Sequence, residues 1–189
     1  MNTVTVTKTY TSPPVCEREI LRYAGCKAAD DAVQTLLTDC LDEAQGMLTY
    51  KVCYRELSVT VDGDVCDFEA FSLRSKSLAD NLKGCNKVVL FAATVGVGID
   101  RLIAKYGRIS PSKALMFQAI GAERIETLCE AFCKELGLKK RFSPGYADLA
   151  LETQRGIFAA LGCEKRLGIS LTDSLLMTPT KSVTAIAVR

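Results

Sequence analysis

Residues 49–68 read TYKVCYRELSVTVDGDVCDF, and the fold class turns on this stretch. Val52 and Tyr54, then Leu57, Val59 and Val61, alternate with polar residues, the period-two pattern of a pleated strand whose side chains take opposite faces in turn. Asp62-Gly63 interrupts the alternation, and such a pair marks a tight hairpin because its central residues need positive φ. Val65–Phe68 then resumes the pattern, so the stretch predicts an antiparallel strand pair.

Working outward, the elements on either side are mixed. Upstream, Thr3–Lys8 alternates valine with threonine and predicts a short strand, and Pro13-Pro14 breaks the chain before an amphipathic helix over Val15–Tyr23 that Gly25 ends. Ala32, Val33, Leu36, Leu37, Cys40 and Leu41 recur at three-to-four spacing and predict a helix over Ala29–Gln45. Downstream, Ser77 is expected to cap a short helix through Leu82, and Lys87–Ala93 reads as a buried strand followed by a turn over Thr94–Gly98. Ser110-Pro111 opens the longest helix, which runs to Gly137; another helix over Leu149–Leu161 is closed by Gly162, and Ser182–Val188 is a final strand. Strands and helices do not alternate strictly. The expectation is therefore a single α+β domain with an antiparallel or mixed twisted sheet and flanking helices, not a doubly wound sheet.

Composition narrows the chemistry. The 189 residues carry 24 Lys and Arg against 22 Asp and Glu, a net charge of +2 with both signs interspersed, which gives no electrostatic footprint of nucleic-acid binding. There is no histidine, so mixed Cys-His zinc sites and Ser-His or Cys-His catalysis are excluded. The nine cysteines include no Cys-x-x-Cys pair and read as small buried hydrophobes of a reducing compartment, with no metal site expected. The N-terminus lacks a signal-peptide pattern and the apolar run Val88–Ile99 is too short to span a bilayer, so a cytoplasmic protein without a membrane partner is expected.

Two segments bear on a site. Gly96-Val97-Gly98 follows an apolar strand as a dinucleotide fingerprint would, but Arg101 stands where the third glycine belongs, and a plain turn is the better reading. Arg141-Phe142-Ser143-Pro144-Gly145-Tyr146 combines a rigid fork for a carboxylate, a Pro-Gly turn that lets backbone approach a ligand, and a flat ring with a hydroxyl. The same six residues also satisfy a simple helix-to-helix turn with a packed tyrosine and a solvated arginine.

Three blocks resemble the activation domain of cobalamin-dependent methionine synthase and its stand-alone relatives. They are Phe91-Ala92-Ala93-Thr94-Val95-Gly96 with Asp100, the segment Arg141–Tyr146, which is similar to the family's Arg-x-x-Pro-Gly-Tyr signature, and Leu171-Thr172-Asp173-Ser174 with Met177, Pro179, Ser182 and Val183. They span residues 85–189 in the family's order, and the first 80 residues match only loosely. The resemblance implies an S-adenosylmethionine site in which Arg141 pairs with the ligand carboxylate, Tyr146 lines the pocket, Ser143 and Gly145 belong to the same loop, and Glu130 of the long helix contacts the ligand. It implies no catalytic side chain, and an accessory role in which the cobalamin of a methionine synthase or another corrinoid protein is reductively remethylated. A flavodoxin-like or ferredoxin-like protein would supply the electron. The cobalamin-carrying Asp-x-His-x-x-Gly motif requires histidine, so the corrinoid must come from a partner. Ala147 and Ala150 stand where the synthase-linked form has prolines, and the chain ends before a further segment of that form, which leads to the expectation either that a partner or second subunit completes the pocket or that the affinity is lower. The alternative is a non-catalytic docking module for a corrinoid protein that no longer binds the ligand.

Overall fold

A computed structural model describes residues 4–26 and 28–188. Around the deciding stretch, β2 (Tyr50–Asp62) turns through Gly63-Asp64 into β3 (Val65–Phe68), one residue later than the Asp62-Gly63 signal, because Asp62 is still paired opposite Val65 and Gly63 takes the positive φ of +61; Val59 lies opposite Phe68. The expected strand pair is present, and β2 continues without a break for 13 residues. On its own edge β3 takes β4 (Phe71–Arg74), while the first half of β2 pairs with β1 (Val6–Tyr10) on one side. On the other side β2 pairs with β5 (Lys87–Thr94), which pairs with β9 (Ser182–Val188), which pairs with the three-residue β6 (Lys140–Phe142). The result is a seven-stranded sheet in the order β4-β3-β2-β5-β9-β6 with β1 beside β2, and every pairing is antiparallel. The α+β class expected from the sequence is the one found.

Period-two alternation sends the central strands to both faces. Val89, Phe91, Ala93, Ala185 and Ala187 enter one core, and Val88, Leu90, Ala92, Ile186 and Val188 enter the other. Helices cover each face. Over the first lie α1 (Glu17–Tyr23), α2 (Asp31–Ala44), α4 (Gly98–Tyr106) and the 26-residue α5 (Pro111–Leu136). Over the second lie α3 (Lys76–Leu82), α6 (Thr153–Leu161) and α7 (Cys163–Leu167). A small separate ladder joins β7 (Ser170–Leu171) to β8 (Met177–Thr178).

Local differences from the sequence reading have physical causes. The cap of α3 is Ser75, in extended conformation with its hydroxyl accepting from Leu78 N at 3.1 Å, because the chain turns helical already at Lys76 and Ser77 lies inside the first turn. The helix expected from Leu149 starts at Thr153, since residues 145–152 are tied in turns by Gly145 N to Leu149 O and Leu149 N to Tyr146 O. The first strand begins later than Thr3, which itself lies outside the described residues, because it takes its register from Tyr50–Tyr54. At Gly96-Val97-Gly98 the turn reading holds: Gly96 has φ +80, and a Cβ on Gly98 would lie 2.0 Å from the Met47 carbonyl oxygen. That close backbone packing leaves Gly98 as a joint between α4 and the segment after α2.

A buried ion pair anchors the N-terminal arm. Glu123 and Arg124 on α5 are 2% and 1% exposed; Arg124 donates to Pro13 O at 2.6 Å and Pro14 O at 2.8 Å, and Glu123 accepts from Cys16 N at 3.0 Å. Two neighbouring carbonyls and an amide of the arm are thus satisfied by adjacent side chains of one helix, as buried charges require.

Candidate functional site

The three resemblance blocks meet in space. β5 carries the first, β6 and the loop after it the second, and β7, β8 and β9 the third, with β9 lying between β5 and β6. Asp100 accepts from Thr180 N at 2.8 Å and Thr180 Oγ1 at 2.6 Å, and Ser182 Oγ donates to Thr94 Oγ1 at 2.9 Å, so the first and third blocks are joined by side-chain contacts as well as by the ladder.

Where β6 stops, β9 runs on. Phe142 is opposite Ile186, and Ser182–Ala185 have no β6 residue beside them. The chain leaves the sheet there at Ser143-Pro144, and a cleft of about 660 Å³ opens between the loop and the uncovered part of β9. Arg141, Ser143, Tyr146 and Ala147 line it from the loop, Met177, Val183 and Thr184 from the third block, Glu126 from α5, and Gln154 from α6.

Arg141 is half-buried on a strand and not solvated in a turn. It faces Ala187, on the side of the sheet that α5 covers, and Nη2 donates to Glu126 Oε2. Its Nη1 is buried with no hydrogen-bond partner. The neighbouring Cys129 thiol, outside the lining of the cleft, is pushed up to about 12 by burial, with Arg141 pulling the other way, so that cysteine stays neutral. Tyr146 is 74% exposed at the mouth, its ring free to lie against a ligand.

Gly145, at φ +89, shapes the loop without lining the cleft; its amide donates to Leu149 O. Glu130 is exposed on α5 and is not among the lining residues; Glu126, one turn earlier, is. Asp148 anchors the loop from outside, accepting from Ser75 Oγ at 2.7 Å and Lys76 N at 2.7 Å, and more distantly from Ser77 N. The Ser75 hydroxyl above all, with Ser77 and the Lys76 amide, holds this carboxyl at about 2, well below the usual carboxylate range. Sequence reasoning did not single out Glu126, which lines the cleft, or Asp148, which anchors its loop. Their signals were an acid one turn from the expected one and an acid two residues past the signature tyrosine.

A second cleft, of about 610 Å³, lies under the N-terminal arm and is lined by such residues as Leu41, Leu48, Tyr50 and Ile120. None of the residues expected at the site borders it. Among the described residues no group of three or more Cys, Asp and Glu is placed to hold a metal ion, and no helix is long and apolar enough to cross a membrane.

Residues 137–189 match the family model described as "Vitamin B12 dependent methionine synthase, activation domain", a match that contains the second and third blocks. The fold is similar to the structure titled "Crystal Structure of the MetH Reactivation Domain bound to AdoHcy", with a TM-score of 0.72 and 17% sequence identity over 97% of this chain and 78% of that one. No curated protein matches the sequence.

Proposed function

We propose that this chain, which resembles the methionine synthase activation domain in its C-terminal sequence and in its whole fold, binds S-adenosylmethionine and supports reductive remethylation of the cobalamin carried by a methionine synthase or a related corrinoid protein. The observation that carries this reading is the buried, unpartnered Nη1 of Arg141 in a cleft that also holds Glu126 and Tyr146. A guanidinium with a free donor suits a carboxylate, an acid beside it suits an ammonium or sulfonium, and an exposed ring suits a cation or a base. The cleft volume also lies in the ordinary range for small-ligand sites.

One electron from the donor and the ligand's sulfonium methyl would together return the partner's corrinoid to its methylated form, the S–CH3 bond breaking and S-adenosylhomocysteine leaving as the neutral thioether. The chain's own share is positioning. Arg141 and Glu126 fix the amino-acid end, the Asp148-anchored loop holds the wall, and an open mouth leaves the methyl accessible to a partner. Orientation of this kind replaces a poor bimolecular encounter and needs no side-chain base or nucleophile. The electron donor is a flavodoxin-like or ferredoxin-like protein, and the setting is cytoplasmic.

Calorimetry of the purified chain with S-adenosylmethionine and S-adenosylhomocysteine tests the ligand, and remethylation of an oxidised corrinoid protein with and without the chain tests the role. Saturable binding and a chain-dependent rate are expected. No binding even with the corrinoid partner present leaves the docking module as the correct reading.

A further inference from the structure

Two other side chains of the cleft are short of a hydrogen bond. Gln154 is 5% exposed and Thr184 is 1% exposed, and Gln154 Oε1 and Thr184 Oγ1 are both buried without a partner. Both residues line the cleft that holds Arg141 Nη1. A buried polar atom left unpaired costs about 1–3 kcal/mol, and folded proteins keep such atoms few. Three of them around one cleft point to a ligand that supplies the missing partners.

Each unpaired group has a defined character. The Gln154 amide is oriented by Nε2, which donates to Leu175 O at 3.2 Å; turned over, it would set its oxygen against that carbonyl. The free atom is therefore an acceptor and calls for an N–H or O–H. Thr184 alternates with Ile186 and Val188 on the face of β9 that α6 covers, and its hydroxyl can give or take a proton. Arg141 and Glu126 belong to the opposite face, under α5. The sheet end divides the cleft into a charged side and a neutral side.

We infer that Gln154 and Thr184 determine specificity by taking the neutral, hydroxyl- and amine-bearing end of the ligand, its nucleoside, while Arg141 and Glu126 take the amino-acid end. This assignment rests on the ligand class proposed above. A nucleoside offers the required donors in its ribose hydroxyls and exocyclic amine, with ring nitrogens as acceptors for the threonine hydroxyl.

The test is calorimetry of the full chain with S-adenosylhomocysteine and adenosine, using Gln154→Met, Thr184→Val, Thr184→Ser and Arg141→Ala. Gln154→Met and Thr184→Val keep the shape and remove the polar atom. Each is expected to weaken S-adenosylhomocysteine and adenosine about tenfold, the size of one ordinary hydrogen bond. Thr184→Ser restores the hydroxyl and with it the affinity. Arg141→Ala weakens S-adenosylhomocysteine and leaves adenosine unchanged. Without ligand Thr184→Val melts no lower than the wild type, because it removes an unpaired hydroxyl. Undiminished affinity in Gln154→Met and Thr184→Val overturns the assignment, as does a wild type from which adenosine cannot displace S-adenosylhomocysteine. A lower melting temperature together with affinity lost equally in Thr184→Val and Thr184→Ser assigns a packing role instead. If the wild type binds neither S-adenosylmethionine nor S-adenosylhomocysteine, the ligand class itself fails and this assignment with it.

Discussion

Arg141 on β6 is held by Glu126 on α5, 15 residues earlier in the chain, so the cation of the cleft is aimed by an anion from another element. Arg141→Ala is expected to reduce S-adenosylmethionine affinity by one to two decades, the worth of a charge-assisted bond of roughly 1.5–3 kcal/mol. Arg141→Lys recovers part of it, since an ammonium lacks the planar fork. Because Arg141 is half-buried and paired, its loss should also lower stability, by about 1 kcal/mol. Ligand titrations and denaturant melts of the variants check both numbers.

The Asp148 anchor makes a pH-dependent contribution. Its carboxyl is held at about 2, below the ordinary value of about 4, so the contact stabilises fully above about pH 4 and is lost as pH falls through 2. Asp148→Asn should therefore melt below the wild type at pH 5–7, with the gap closing between about pH 4 and 2. A gap that is constant with pH contradicts the anchor.

Removing one partner of the Glu123–Arg124 pair strands a charge in the core. Arg124→Ala is expected to cost about 3–5 kcal/mol and to release the arm at Pro13-Pro14. Denaturant unfolding measures the first effect, and faster proteolysis within residues 11–16 reports the second.

Gly98→Ala places a methyl on the Met47 carbonyl, where backbone would have to move. A loss of about 3 kcal/mol is expected in chemical denaturation, well beyond the propensity gain from glycine to alanine in a helix. An unchanged midpoint would mean that this joint is loose.

Particular residues explain what the sequence could and could not convey. The existence of the hairpin was legible, to within one residue of its turn at Gly63-Asp64, because turn chemistry and alternation are local signals, and the ends of α5 at Pro111 and Gly137 were legible for the same reason. The level at which a helix meets a site is not local. Glu126 and Glu130 lie four apart and share a helix face, so periodicity cannot tell which of them borders the cleft; the end of β6 sets that, and only the fold shows where it is. The Pro-Gly turn within Arg141–Tyr146 was readable, but the strand that half-buries Arg141 was not, since three residues are too few for an alternation pattern. Gln154 and Thr184 carry no local mark at all. A glutamine in a first helical turn and a threonine in an apolar strand are ordinary, and their missing partners become visible only once the chain is folded.

The brevity of β6 has a consequence for how this protein behaves at high concentration. A sheet's last strand offers free backbone groups to any passing chain, and long, flat, apolar edges recruit copies into aggregates. Here that strand has three residues, with Lys140 and Arg141 inside it, exposed Lys139 before it and Pro144 just beyond. It is too short to template a neighbour, too charged to attract one, and is followed by a residue with no amide hydrogen to donate. The truncation that leaves part of β9 open to the cleft thus also guards this edge of the sheet against its own kind, and lengthening β6 would remove that guard.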